Sequence, residues 1–184
     1  MSQYGAENEG ACDEMVILGV DPGIATVGFG VIKAEGNRQT LIRCGVIRTM
    51  PGSRLALRLK QIYDDICQLI SIYKPDAIAV EELFFNTNLK TGISVAHGRG
   101  VAILAGEEHG IPMFEYTPLQ IKQTVAGYGR AGKKQVMEMV RRLLSLDNPP
   151  HPDDAADALA VAICHARVSG SLLNTVGGNI CSTI

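Results

Sequence analysis

The chain has 184 residues, 46% hydrophobic and 20% charged, and a formal net charge of −2. These proportions belong to one globular domain of ordinary size and exclude a mainly disordered chain, a collagen and a coiled coil. No apolar run approaches the ~20 residues of a membrane span, and the opening MSQYGAENEGACDE, acidic and polar, is not read as a signal peptide.

Residues 1–14 are expected to be a disordered acidic extension, 15–168 one domain, and 169–184 a flexible Gly- and Ser-rich tail. MVILGVD (15–21) is an apolar run ending in a polar turn, the pattern of a buried strand. VGFGVIK (27–33) and TLIRCGVIR (40–48) follow at hairpin spacing, so three antiparallel strands are expected. Ser53 is the expected cap of a helix whose apolar face is Leu55, Leu59, Ile62, Ile66, Leu69, Ile70 and Tyr73, with Pro75 marking its end. DAIAVEE (76–82) reads as a second buried strand. A helix over about 88–108, a short strand near 111–116 and helices over 117–129 and about 132–145 come next. After the loop DNPPHP (147–152), a last helix is expected from Asp153 to about Arg167. This order predicts an α/β domain: a mixed five-stranded sheet with helices on both faces. The fourth and fifth strands each follow a helix, so right-handed crossovers make them parallel to the first.

Five cysteines, widely spaced and without a CxxC pair, read as reduced thiols of a cytoplasmic protein and not as zinc ligands. The charge is unevenly spread. Glu7, Glu9, Asp13 and Glu14 stand in the first 15 residues with no Lys or Arg, whereas 117–145 holds Lys122, Arg130, Lys133, Lys134, Arg141 and Arg142 against Glu138 alone. Such a run is either a solvated helix surface or a basic face for phosphates.

Acids close the apolar strands. Asp21 ends the first, Glu81 and Glu82 end the fourth, and HPDDAADALA places Asp153, Asp154 and Asp157 in the first turn of the last helix. Singly, each has an ordinary explanation: a turn before Pro22-Gly23, or a helix N-terminus that favours acids by ~0.3–1 kcal/mol. Together they form a pattern. Ile17, Gly19 and Asp21 share one strand face, as do Ala77, Ala79 and Glu81. If the two strands are neighbours, Asp21 and Glu81 stand side by side, and the small residues leave room for the last helix to bring Asp154 and Asp157. Converging carboxylates repel and raise one another's pKa. A divalent cation relieves that conflict, and an all-oxygen set without His or Cys fits Mg²⁺ or Mn²⁺. Two such ions ~3.5–4 Å apart suit in-line attack of water on a phosphodiester.

LGVDPGIATVGFGVI, AVEELFF, FEYTPLQIKQTVAGYGRAGKKQV and HPDDAADALAVAICHA, in this order and spacing, resemble the RuvC-type Holliday-junction resolvases over about 15–168. The resemblance implies a ribonuclease-H-like fold and catalytic, Mg²⁺-binding acids at Asp21, Glu81, Asp154 and Asp157, two ions per subunit, with Mn²⁺ as a substitute. The third position is one where some members carry His, and here Asp153 and His151 lie beside it. It further implies a homodimer that nicks four-way junction DNA in symmetric pairs, leaving ligatable ends, beside the RuvA–RuvB branch-migration machinery. The helix around 88–108, with Gly92, Ala96, Gly98, Gly100 and Ala102, is the implied dimer interface, unless its small residues serve packing on the sheet. Lys122 and Lys133 match basic positions near the scissile phosphate, and Phe84 matches an aromatic that stacks on bases. Lys134, Arg130, Arg141 and Arg142 are candidate backbone contacts. Phe85 is a further candidate, because two adjacent Phe on a strand cannot both point inward.

Three rival readings are weaker. A junction-binding protein that does not cut fits poorly with acids in all the motifs. DPGIATVGFG is similar to the first phosphate loop of actin-like ATPases and sugar kinases, but those phosphotransferases need two such lobes. GYGRAGKK nearly matches a nucleotide phosphate loop, yet the residue after its Lys133 is Lys134, not Ser or Thr.

Overall fold

The structure, a computed structural model, describes residues 14–82 and 89–177, with side chains over 14–82 and 92–170. The first three strands are β1 (Glu14–Asp21), β2 (Thr26–Glu35) and β3 (Arg38–Arg48). β1 and β2 pair antiparallel from Glu14↔Glu35 to Asp21↔Gly28, and β2 and β3 from Thr26↔Arg48 to Glu35↔Arg38. A register shift at Val31/Ile32 leaves Ile42 as the extra residue of a bulge.

Helix α1 (Leu55–Tyr73) returns the chain to β4 (Ala77–Glu81), which pairs parallel with β1. α2 (Leu89–Glu108) then leads to β5 (Met113–Tyr116), parallel to β4. The strand order is β3-β2-β1-β4-β5. This is the five-stranded mixed sheet the sequence predicts, with the first and fourth strands side by side.

Period-two alternation sends the strands' side chains to two cores. Leu18, Val20, Val31, Ile78 and Val80 pack with Ile62, Ile66 and Ile70 of α1 and Ala102 and Ala105 of α2. Ile17, Ile32, Ala79 and Tyr116 face the other side, under α3 (Pro118–Ala126), α4 (Lys133–Leu143) and α5 (Asp153–Gly177). From Ala158 to Ala166 α5 is buried on every side, and apolar apart from His165, because it is the middle layer. The sheet lies beneath it, and α3 and α4 lie against it.

Three local expectations fail. Ser53 does not cap α1: the N-cap is Arg54, with no side-chain hydrogen bond, and the turn Met50–Ser53 closes through the backbone instead. Leu55, in the first turn of α1, lies beyond the sheet's cover and is exposed. The last helix also runs through Gly177, past the expected end near Arg167.

Candidate active site at the ends of β1 and β4

The register places Asp21 and Glu81 next to each other, one step beyond the pair Val20↔Val80. α5 reaches them because the sheet beneath it is glycine-paved. A Cβ on Gly19 would fall on the carbonyl oxygen of Ala158, and one on Gly28 would fall on that of Asp154. With no side chain at either position, the first turns of α5 lie directly on β1 and β2, and Asp154 and Asp157 arrive over the strand ends.

The electrostatics record the meeting. Burial pushes the Asp21 carboxyl up to about 7, and the charges of Asp157, Glu81 and Asp154 push the same way, opposed by Lys133. The Glu81 carboxyl is raised too, by burial and then by Asp157, with Lys122 opposing. Asp153 and Glu82 are not among the groups acting on either acid. Both are exposed, as is His151. Among the described residues, no three His, Cys, Asp or Glu side chains are already drawn to metal-holding distances. The four carboxylates therefore interact through their charges, and Lys133 supplies the cation: its Nζ lies 2.9 Å from Asp157 and 3.5 Å from Asp153.

The turn after Asp21 is held from two sides. Thr49 Oγ1 donates to the Ile24 carbonyl at 2.5 Å and accepts from Arg58 Nε at 2.8 Å, while the Thr49 N–H bonds Ala25 O. From the other side α2 presses Gly98 against the Gly23 carbonyl.

The opposite wall is a cleft of about 230 Å³ lined by Glu81, Pro118, Ile121, Lys122, Lys133, Val136 and Asp157, among others. Thr117 and Gln120 form a reciprocal capping box that starts α3, and Ile121 and Val125 bury its inner side, which leaves Lys122 on the cleft. α4 starts at Lys133, where Gln135 Oε1 accepts the Gly132 N–H at 2.8 Å. Lys134 and Arg130 are exposed nearby. Arg141 and Arg142 are not available in the same way. Both bond Glu138, whose carboxyl they hold down at about 2, and Arg141 also donates to the Leu146 carbonyl. Phe84 and Phe85 lie outside the described residues.

The small residues of α2 serve largely as sheet packing. Ala102 and Ala105 are buried, Gly98 meets Gly23, and Gly106 lies under Ile78 and Met113. Ile93, Gly100 and Leu104 face outward.

A mixed sheet in this order, with acids from β1, β4 and a late helix facing one another, defines the class of ribonuclease-H-like nucleases. Residues 17–165 match the family model described as crossover junction endodeoxyribonuclease RuvC. The crossover junction endodeoxyribonuclease RuvC of Alkaliphilus metalliredigens is 57% identical over 153 residues, 83% of this chain and 93% of that one. The protein of the same description from Pelotomaculum thermopropionicum is 55% identical over the same shares. The structure of Thermus thermophilus RuvC in complex with Holliday junction substrate superposes with a TM-score of 0.81 at 35% identity, covering 85% of this chain and 96% of that one. The chain belongs to the RuvC family, the crossover junction endodeoxyribonucleases. Neither a phosphotransferase lobe nor a non-cleaving binder is favoured by these matches.

Proposed function

We propose that the chain resolves Holliday junctions in DNA recombination and repair, using Asp21, Glu81, Asp154 and Asp157 as metal-binding catalytic acids. The observation that carries this is Asp21: a carboxyl at the end of a buried strand, pushed up to about 7 by its burial and by three other carboxylates. That is a poor arrangement for folding and a good one for holding divalent cations. The donor set is all oxygen, which fits Mg²⁺, two per subunit, with Mn²⁺ as a substitute. When bound, such ions supply a water acidic enough to attack near neutral pH and neutralise charge on the departing 3′ oxygen.

The chain's own residues do the rest. Lys122 and Lys133, on the cleft with Glu81 and Asp157, place ammonium groups where a scissile phosphate enters. Lys133, paired with Asp157 in the protein alone, would turn to that phosphate if the carboxylates held a divalent cation. Arg130 and Lys134, exposed at the start of α4, take flanking phosphates. Arg141 and Arg142 do not join them, because Glu138 already holds both. Phe84, following Glu81 and Glu82 in the chain, stacks on bases of the opened junction, with Phe85 as the alternative candidate.

A four-way junction has two strands to cut, and a two-fold dimer supplies two sites. The outward side of α2, with exposed Ile93 and Leu104 around Gly100, supports a homodimer through this helix. The RuvA–RuvB branch-migration complex is the proposed partner assembly, and the cytoplasm the proposed location. Among the described residues no helix is long and apolar enough to cross a membrane.

Incubation with a synthetic four-way junction and Mg²⁺ tests the reading. The expected products are paired symmetric nicks with 5′-phosphate and 3′-hydroxyl ends, absent in EDTA and in Asp21→Asn. A gel shift without nicks would favour a non-cleaving binder. Nucleotide binding in calorimetry, with no nicks, would favour a phosphotransferase.

A further inference from the structure

The stretches FEY and AICHA meet in space, and the proposed chemistry gives neither a task. Tyr116 Oη and His165 Nδ1 are 2.7 Å apart, and His165 is 2% exposed. Its ring also stands against Phe114, with centroids 4.3 Å apart. The second ring nitrogen, Nε2, is buried with no hydrogen-bond partner among the described residues. Burial holds the imidazole below its usual pKa, which favours the neutral ring.

For packing alone, histidine is a poor choice here. An apolar ring would fill the space without leaving a buried nitrogen unsatisfied. What the imidazole adds is one directional bond, and the partner's position gives that bond consequences. Tyr116 is the register partner of Glu81, and its carbonyl accepts the Glu82 N–H at 2.8 Å. Tyr116 also immediately precedes Thr117, the cap of α3, which carries Lys122. His165 lies eight residues beyond Asp157 on α5, a little over two turns. One hydrogen bond thus joins three of the four elements that wall the cleft: the end of β4 through its pairing with β5, the start of α3, and α5, with α4 as the fourth.

We propose that the Tyr116–His165 hydrogen bond is a positioning pair that fixes the spacing of Glu81 against Asp157, and so tunes how tightly the carboxylates take a divalent cation. The proposal rests on the metal-binding reading above. It calls for no proton transfer by either residue, and neither touches the reacting atoms.

The test uses the full chain and Mn²⁺ alone as the probe. Tyr116→Phe deletes one oxygen and keeps the ring. Calorimetric titration of the DNA-free protein is expected to show a loss of Mn²⁺ affinity. Junction binding in EDTA should stay as in the wild type. Phe114→Leu is the control: it trims packing on the same imidazole but keeps the bond, so it should lower the Tm with Mn²⁺ affinity unchanged. Equal Mn²⁺ affinity in Tyr116→Phe and wild type would overturn the proposal. So would an equal loss in Phe114→Leu, which would mark general loosening. If the wild type itself takes no Mn²⁺, the underlying metal reading fails instead, and the two failures are distinct.

Discussion

Lys133 Nζ lies 2.9 Å from Asp157 Oδ2, inside a ring of acids that otherwise repel one another. The bond to Asp157 holds the ammonium pKa above its ordinary value. The lysine and a divalent cation therefore compete for the same oxygen. A half-exposed ion pair is worth at most about 1 kcal/mol, so Lys133→Ala is expected to tighten Mn²⁺ binding to the DNA-free protein by up to about fivefold. The same variant loses a charge from the cleft, and cleavage of a junction should slow by roughly 10²-fold, as when one transition-state donor is removed. Calorimetry and single-turnover cleavage read the two effects, which run in opposite directions.

The Asp21 carboxyl has a pH signature of fixed sign. Its folded pKa, about 7, lies above the unfolded value near 4. Between these values the folded state holds a proton that the unfolded state has lost, so stability falls as pH rises from about 4 through 7. Metal-free protein should therefore melt lower at pH 8 than at pH 5.5. Asp21→Asn should remove this part of the slope and raise the Tm at pH 8, by ~2–4 °C for each kcal/mol recovered in a chain of this size. Divalent cations must displace the same proton, so affinity should climb by up to about tenfold per pH unit below 7 and flatten above it.

The strand ends separate the proposed catalytic acids from their neighbours. Glu81 faces Asp157 across the cleft, whereas Glu82 is exposed and its backbone pairs with Tyr116. Glu81→Gln is expected to abolish cleavage and weaken Mn²⁺ binding. Glu82→Gln should leave both within about threefold, as is usual for an exposed substitution worth under ~0.5 kcal/mol. The same contrast applies to Asp154→Asn against Asp153→Asn, with the second also releasing one contact to Lys133.

Much of this site was legible in the chain. Period-two alternation put Ile17, Gly19 and Asp21 on one face and Ala77, Ala79 and Glu81 on one face, and the small residues announced that a helix crosses there. Those are local signals. Other features depend on partners distant in sequence and gave no local sign. The Tyr116–His165 bond spans 49 residues, and the Lys133 contact to Asp157 joins two helix starts. The pairing of Arg141 and Arg142, by contrast, is local: Glu138 stands three and four residues before them, on the same side of α4. Ser53 had the right chemistry for a cap, but the helix begins one residue too late for its side chain to serve.

Gly28 sets the depth at which α5 sits. Gly28→Ala drives a Cβ into the Asp154 backbone, which cannot yield as a flexible side chain would. A loss of ~1–3 kcal/mol is expected, the usual cost of overpacking, together with weaker Mn²⁺ binding because Asp154 and Asp157 move with the helix. Gly170, also in α5 but with nothing within 4 Å of its added Cβ, is the counterpart. Gly170→Ala should stabilise by up to about 1 kcal/mol, the ordinary helix preference for alanine. Thermal melts and Mn²⁺ titration distinguish the two.

The direct measurement is anomalous diffraction from crystals of the full chain equilibrated with Mn²⁺. The expected result is Mn²⁺ density bounded by the carboxylates of Asp21, Glu81, Asp154 and Asp157, with the Lys133 ammonium withdrawn from Asp157. Manganese bound elsewhere, or none between these four side chains at saturating concentration, would contradict it.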